Sequence, residues 1–248
     1  MPCNERRKHI RAVRDEIRRA DAEERSIKYS EVHSIGPQNW VVGMTVAYRQ
    51  IPRVKQTLKS VEEAGFKGAI LFVEPGSNDI PEGYHQVNNK EILGNWGNFC
   101  NRVHYFSELD TLDNTKFLFI QDDVDFLPDT RAWVENNWPC NNGPISLYRS
   151  AKYVPTKEVY SKLRFSEPFL GMLALILNRD MLLSLRSNLK AMTNTENKKD
   201  DVKFGIYCNN LHIPINIVNA SRCQHTGEVS SLYTTTTMTK FRRANTYV

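Results

Sequence analysis

The sequence predicts an α/β domain with a mainly parallel central sheet flanked by helices, plus an N-terminal helix. Three observations lead there. Trp40 to Ala47, Ala69 to Glu74 and Lys116 to Ile120 are short, largely apolar runs, the pattern of strands buried on both faces. The stretch between the first two has helical character from about Pro52 to Glu63 and is closed by Ala64-Gly65. Strand, helix and strand in that order form a right-handed βαβ unit. Acids also gather immediately after the third run, where open α/β sheets bind their ligands beyond the carboxyl ends of strands.

The remaining elements follow in chain order. Glu5 to Ser26 is dense in charge, with Ile10, Val13 and Ile17 as a narrow apolar stripe, which predicts a helix docked along one edge. A solvated face laced with ion pairs and a basic arm for nucleic acid or an oligomer contact are both open readings of it. Tyr48 to Arg53 is a polar loop. Pro75 to Asp79 is a turn. Asn95 to Leu109 has helical spacing, with Trp96, Phe99 and Phe106 read as core residues. Asp129 to Trp138 reads as a short helix capped by Asp or Thr, and Pro144 to Arg149 as a strand. Lys152 to Arg164 is polar and irregular. Met172 to Leu177 is another buried strand, Asp180 to Leu189 an amphipathic helix, Val202 to Asn209 a helix after the acids Asp200-Asp201, and Pro214 to Val218 a strand. A Thr-rich basic tail closes the chain. The expected division is a basic N-terminal arm over 1–35, one domain over 36–235 and a tail over 236–248.

Composition narrows the function classes. The chain has 248 residues, 40% of them hydrophobic, enough for a substantial core. No apolar run reaches the roughly eighteen residues that a membrane span requires, and the first thirty or so positions are charged, so a soluble cytoplasmic protein is expected. Five cysteines, scattered and without C-x-x-C spacing, predict free thiols rather than disulfides or structural zinc. The formal net charge of +5 demands no polyanionic partner. Neither G-x-G-x-x-G nor G-x-x-x-x-G-K follows the first strand, so a dinucleotide fingerprint and a phosphate loop are not supported.

The chemistry gathers in three stretches. The first is Phe119-Ile120-Gln121-Asp122-Asp123-Val124-Asp125-Phe126-Leu127-Pro128-Asp129, where strand-end acids are placed to hold a cation against a bound phosphate. The second is Lys199-Asp200-Asp201-Val202-Lys203-Phe204-Gly205, which also reads as a helix terminus with first-turn acids. The third is Cys223-Gln224-His225-Thr226-Gly227, followed by Ser230-Ser231-Leu232. In this order they resemble the GT-A fold nucleotide-sugar glycosyltransferases over roughly Trp40 to Leu232, in particular inverting N-acetylglucosaminyltransferase-like and viral or phage members.

The resemblance implies a single Rossmann-like GT-A domain and a set of roles. The first stretch resembles the acidic "DXD" element, with Gln121 standing where the pattern usually has Glu. It implies Asp123 as metal ligand, Asp122 facing the ribose or sugar of the donor, and Asp125 as second-choice ligand. The second resembles the motif that supplies the catalytic base, implying Asp201, with Asp200 next. The third implies His225 as a further metal ligand or diphosphate contact, with Gly227, Ser230 and Ser231 allowing close backbone approach. The implied cofactors are Mn²⁺ or Mg²⁺ and a nucleotide sugar, a UDP-sugar first. Arg49, Arg53 or Arg242 would add positive charge at the phosphates, and the loop of Ala47 and Tyr48, with Glu74, would meet the base and ribose.

The function implied is inverting transfer of a sugar to a hydroxyl acceptor. With the basic arm and tail, a hydroxymethylated base in DNA is one candidate acceptor; a glycan or protein is the other. Two alternatives remain open from the residues themselves. One is a nucleotidyltransferase acting on a nucleoside triphosphate. The other is a nucleic-acid-binding module whose acids are solvated loop residues. The residues do not specify an oligomeric state.

Overall fold

The first strand sets the frame because every one of its residues is buried. In the computed structural model, which describes residues 40–154, 156–163, 167–193 and 199–226, β1 (Trp40–Val46) is followed by α1 (Val54–Glu63), β2 (Ile70–Val73), β3 (Gln86–Asn88) and α2 (Gly94–Glu108). Then come β4 (Lys116–Gln121), β5 (Val124–Phe126), α3 (Thr130–Asn136), β6 (Ile145–Ser146), β7 (Tyr160–Lys162) and β8 (Ala174–Asn178). The chain continues with α4 (Arg179–Thr193), α5 (Asp200–Asn210), β9 (Asn216–Val218) and β10 (Cys223–His225). The expected N-terminal helix, the basic tail and both expected domain boundaries lie outside the described residues.

Eight strands form one sheet in the order β3-β2-β1-β4-β8-β6-β9-β7. β2, β1 and β4 are mutually parallel, as the apolar runs predict, and β3, which none of those runs includes, joins β2 in parallel. β8 runs against both β4 and β6, β9 is parallel to β6, and β7 runs against β9. The sheet is therefore mostly parallel with β8 and β7 reversed. Periodicity cannot show that reversal, because a strand buried on both faces reads alike in either direction.

Alternation along β1 divides the core into two layers. Val42, Met44 and Val46 share a cluster with Leu58 and Val61 of α1 and Val134 of α3. The opposite face is aromatic: Phe99 and Phe106 of α2 meet Phe119 at centroid distances of 5.3 and 5.2 Å, and Phe99 reaches Phe204 of α5 at 6.0 Å. Gly43 faces this layer, and a Cβ there would lie 2.2 Å from Phe106 Cζ. Trp96 is only half-buried; its indole N–H donates to Thr193 Oγ1 at 3.0 Å.

Four short strands, β3, β5, β7 and β10, escape the sequence reading. Beyond the Asp122-Asp123 turn the chain enters β5, which pairs antiparallel with β10 in a separate two-stranded sheet, Val124 opposite His225 and Asp125 opposite Gln224. The stretch read as irregular contains β7. Asp129 sits at the N-cap of α3 in the left-handed region, φ 56°, without a side-chain cap bond, so the expected capping by its carboxylate does not occur. Lys199 takes the N-cap of α5, which puts Asp200 and Asp201 inside its first turn.

Candidate functional site

The turn between β4 and β5 carries the first two acids, and its backbone is pinned from two sides. Thr57 of α1 donates to the Asp122 carbonyl at 3.0 Å and accepts from the Val124 N–H at 3.2 Å. One turn later, Ser60 accepts the Phe126 N–H at 3.2 Å. From the other side, the N–H and hydroxyl of Thr226, which follows β10, donate to the Asp123 carbonyl at 2.8 and 3.1 Å. Thr57, Ser60 and Thr226 thus fix the acids in place. Thr57 and Ser60 stand three apart on one helix face, but sequence alone does not show which strand that face meets.

Both acids are sealed in: Asp122 is 1% exposed and Asp123 0%. Asp122 Oδ2 accepts the Ala47 N–H at 2.9 Å, and Oδ1 accepts Arg49 Nε at 2.7 Å and Nη2 at 2.5 Å. The same guanidinium places Nη1 2.7 Å from Asp123 Oδ2. Arg49 therefore bridges the two carboxylates. Burial pulls its pKa down, but Asp123 and Asp122 outweigh that and raise it. Burial likewise pushes Asp122 up, against Arg49 and the Ala47 N–H. The ionised pair governs, because a buried guanidinium does not give up its proton and requires a counter-charge.

His225 and Asp123 converge, with Nε2 3.1 Å from Oδ2. Among the described residues the imidazole Nδ1 has no hydrogen-bond partner. Asp125 points elsewhere: its register partner is Gln224, on the other face of the β5–β10 ribbon from the Val124–His225 pair. Its Oδ2 accepts Gln56 Nε2 at 2.5 Å, and Arg53 contributes a favourable field. The two strand acids expected as alternative ligands thus separate, Asp123 with His225 and Asp125 with the start of α1. No group of three or more His, Cys, Asp or Glu poised for a metal ion occurs among the described residues. Asp123 offers an oxygen and His225 an imidazole nitrogen, a mixed two-donor set that fits Mn²⁺ better than the all-oxygen preference of Mg²⁺, with the remaining positions left to phosphate oxygens and water.

The other sequence candidates fall into distinct places. Tyr48 is 57% exposed beside Arg49, and Arg53 occupies the N-cap of α1 and donates to Gln56 Oε1 at 2.8 Å. Glu74 is buried and committed to the start of α2, accepting the N–H groups of Leu93 and Gly94 and the side-chain amide of Asn98. It acts as a helix-terminus cap, so it does not present the open carboxylate that a ribose contact requires. Gly227, Ser230, Ser231 and Arg242 lie outside the described residues.

The second acid pair opens α5. Asp201 is half-buried, and its Oδ1 accepts the Val202 N–H at 2.8 Å. Burial and then the neighbouring Asp200 push its pKa up to about 6, against that hydrogen bond. Burial also raises Asp200, with Arg102 opposing. Arg102 is a residue the sequence reading missed. It projects from α2 into the core and donates from Nη1 to the Ile120 carbonyl at 3.0 Å and the Gly43 carbonyl at 3.1 Å. Burial lowers its pKa to about 9. It ties the middle of β1 to β4 two residues before Asp122, and its field reaches Asp200. The only sequence signal was an Arg at a core-facing position of an otherwise aromatic helix stripe.

No protein-family model matches the chain, and no curated protein matches it. Among solved structures, a nucleotidyl transferase from Methanothermobacter thermautotroptrophicus (Mth528) aligns with 10% identity and a TM-score of 0.46, covering 72% of this chain and 86% of that one. Protein A197 from STIV aligns with 9% identity and a TM-score of 0.45, covering 75% and 84%. Likeness at this level decides nothing about activity, so function is read from the site. No helix among the described residues is long and apolar enough to cross a membrane. One cavity of about 300 Å³, lined by Pro139, Cys140, Val159, Tyr160 and Lys162 among others, includes none of these acids.

Proposed function

We propose that the protein is a metal-dependent glycosyltransferase that moves a sugar from a nucleotide-sugar donor to a hydroxyl acceptor with inversion. The observation that carries this reading is the division of the acids into two differently treated pairs. Asp122 and Asp123, at the carboxyl end of central β4, are charge-compensated by Arg49 and joined by His225. Asp201, at the start of α5, is held at a raised proton affinity. A cationic phosphate pole and a separate base are the two requirements of such a displacement.

Asp123 and His225 would hold Mn²⁺ or Mg²⁺, which when bound neutralises charge on a diphosphate leaving group. Asp122 organises the loop that carries Arg49, which places a guanidinium at the same pole. Asp201, or Asp200 next to it, accepts the proton of the acceptor hydroxyl. The hydroxyl oxygen forms its bond to the anomeric carbon as the bond to the diphosphate oxygen breaks and that electron pair leaves with the nucleotide. A carboxylate with pKa about 6 is a stronger base than an ordinary Asp and is still mostly ionised near neutral pH.

The test is a panel of nucleotide sugars, UDP-sugars first, incubated with the protein and Mn²⁺, with an EDTA control. Release of nucleoside diphosphate that EDTA abolishes is expected, together with a nucleotide-dependent rise in Tm. Folded protein showing neither result refutes the reading. Pyrophosphate released from a nucleoside triphosphate would instead identify a nucleotidyltransferase. Acceptors carrying hydroxymethylated DNA bases, glycans and proteins are then compared by transfer of labelled sugar.

A further inference from the structure

Arg49 already neutralises the carboxylate to which the reading above assigns a divalent cation. Its guanidinium spans Asp122 Oδ1 and Asp123 Oδ2, and the Asp123 oxygen it approaches at 2.7 Å is the one that faces His225 Nε2. A cation held by Asp123 and His225 would compete with Nη1 for the charge of that same carboxylate oxygen. The two positive charges would also repel each other beside two carboxylates that are buried.

The Arg49 backbone, by contrast, is anchored. Asn78 donates to its carbonyl at 3.2 Å, and Asn78 Oδ1 lies 3.5 Å from its N–H. The Asp122 carboxylate has a second, independent partner in the Ala47 N–H at 2.9 Å, so the loop remains held if the guanidinium leaves. The side chain is 13% exposed, which gives it a route outward.

We infer that Arg49 is an exchangeable internal counter-ion: it neutralises Asp122 and Asp123 until a divalent cation binds, and the cation displaces it from Asp123. The released guanidinium stays tethered at the rim of the site, where it is available to an incoming diphosphate. Arg49 therefore opposes metal binding in the absence of nucleotide. This inference rests on the metal role proposed above for Asp123.

The test measures Mn²⁺ alone, without nucleotide, by loss of the free-ion EPR signal in the wild type, Arg49→Gln, Arg49→Lys and Asp123→Asn. Arg49→Gln is expected to bind Mn²⁺ at least about tenfold more tightly than the wild type. Arg49→Lys, whose compact ammonium cannot bridge two carboxylates, falls between them. Asp123→Asn abolishes binding. In EDTA, Arg49→Gln unfolds at a lower Tm than the wild type, and Mn²⁺ raises that Tm more than it raises the wild type's. If Arg49→Gln does not fold, Arg49→Lys alone decides: affinity equal to the wild type's overturns the inference. Wild-type binding with equal or weaker binding by Arg49→Gln also overturns it while leaving the metal reading intact. Absence of Mn²⁺ binding from every folded variant refutes the metal reading and this inference with it.

Discussion

The two acid pairs are alike in sequence and opposite in treatment. Asp122-Asp123 sits on a turn whose backbone is bonded by Thr57 and Thr226, and its charge is met by Arg49 at direct contact. Asp200-Asp201 opens a helix, with Arg102 acting on Asp200 through its field, and burial raises the proton affinity of both acids. Burial raises the proton affinity of Asp122 as well, but there a guanidinium in direct contact opposes it and holds the pair ionised, whereas at Asp201 burial and the neighbouring Asp200 act together and favour a base. Local environment thus assigns different roles to two identical Asp-Asp dipeptides.

The largest expected effects test that division directly. Asp123→Asn should lower transfer about 10³-fold or more, equivalent to about 4 kcal/mol of transition-state stabilisation, and should abolish Mn²⁺ binding. Asp201→Asn should lower transfer by about 10²–10⁴-fold while leaving Mn²⁺ affinity unchanged. A loss of metal binding in Asp201→Asn would show that the two pairs form one site. Asp125→Asn should spare Mn²⁺ binding, because Asp125 bonds Gln56 on the other face of the β5–β10 ribbon.

A second prediction separates position from charge. Thr57→Val preserves shape and leaves the buried Asp122 carbonyl and Val124 N–H without this partner. A loss of about 1–3 kcal/mol in unfolding free energy is expected. Mn²⁺ affinity should weaken with it, while the apparent pKa governing the rate is unchanged. That pKa belongs to Asp201: log kcat/KM should fall with unit slope as pH drops below about 6. The slope should be absent from the residual activity of Asp201→Asn.

What was legible in the sequence follows from which interactions are local. The buried strands β1, β2 and β4 and their helices follow from composition and period, and the acids follow from position at a strand end. β5, β7 and β10, each three residues long, lie below what alternation can signal, and the reversed direction of β8 leaves no mark in its apolar pattern. At the site, Asp122, Asp123, His225 and Arg49 were all candidates, and the structure brings them together. The bridging of both acids by one guanidinium, the pinning by Thr57 and the hold of Arg102 on the Gly43 carbonyl are contacts across fifty or more positions. Glu74 shows the converse: a strand-end acid that looks like a ligand is equally suited to cap the helix that follows.

The smallest expected effect bears on why Asp201 is an acid at all. Its folded pKa of about 6 stands above the ordinary 3.8, so the folded state holds the proton more tightly than the unfolded one. Its favourable contribution is fully present below pH 3.8 and is lost as pH rises through about 6. Asn cannot ionise and escapes this loss. Asp201→Asn should therefore match the wild type in stability near pH 4 and exceed it above pH 6, by on the order of 1 kcal/mol once solvent screening is allowed for. Urea unfolding at both pH values measures this difference. A variant that is more stable yet inactive marks Asp201 as a charge kept for chemistry at the expense of the fold. Equal stability at both pH values would mean that its carboxylate is not strained, and the distinction between the two acid pairs would then rest on Arg49 alone.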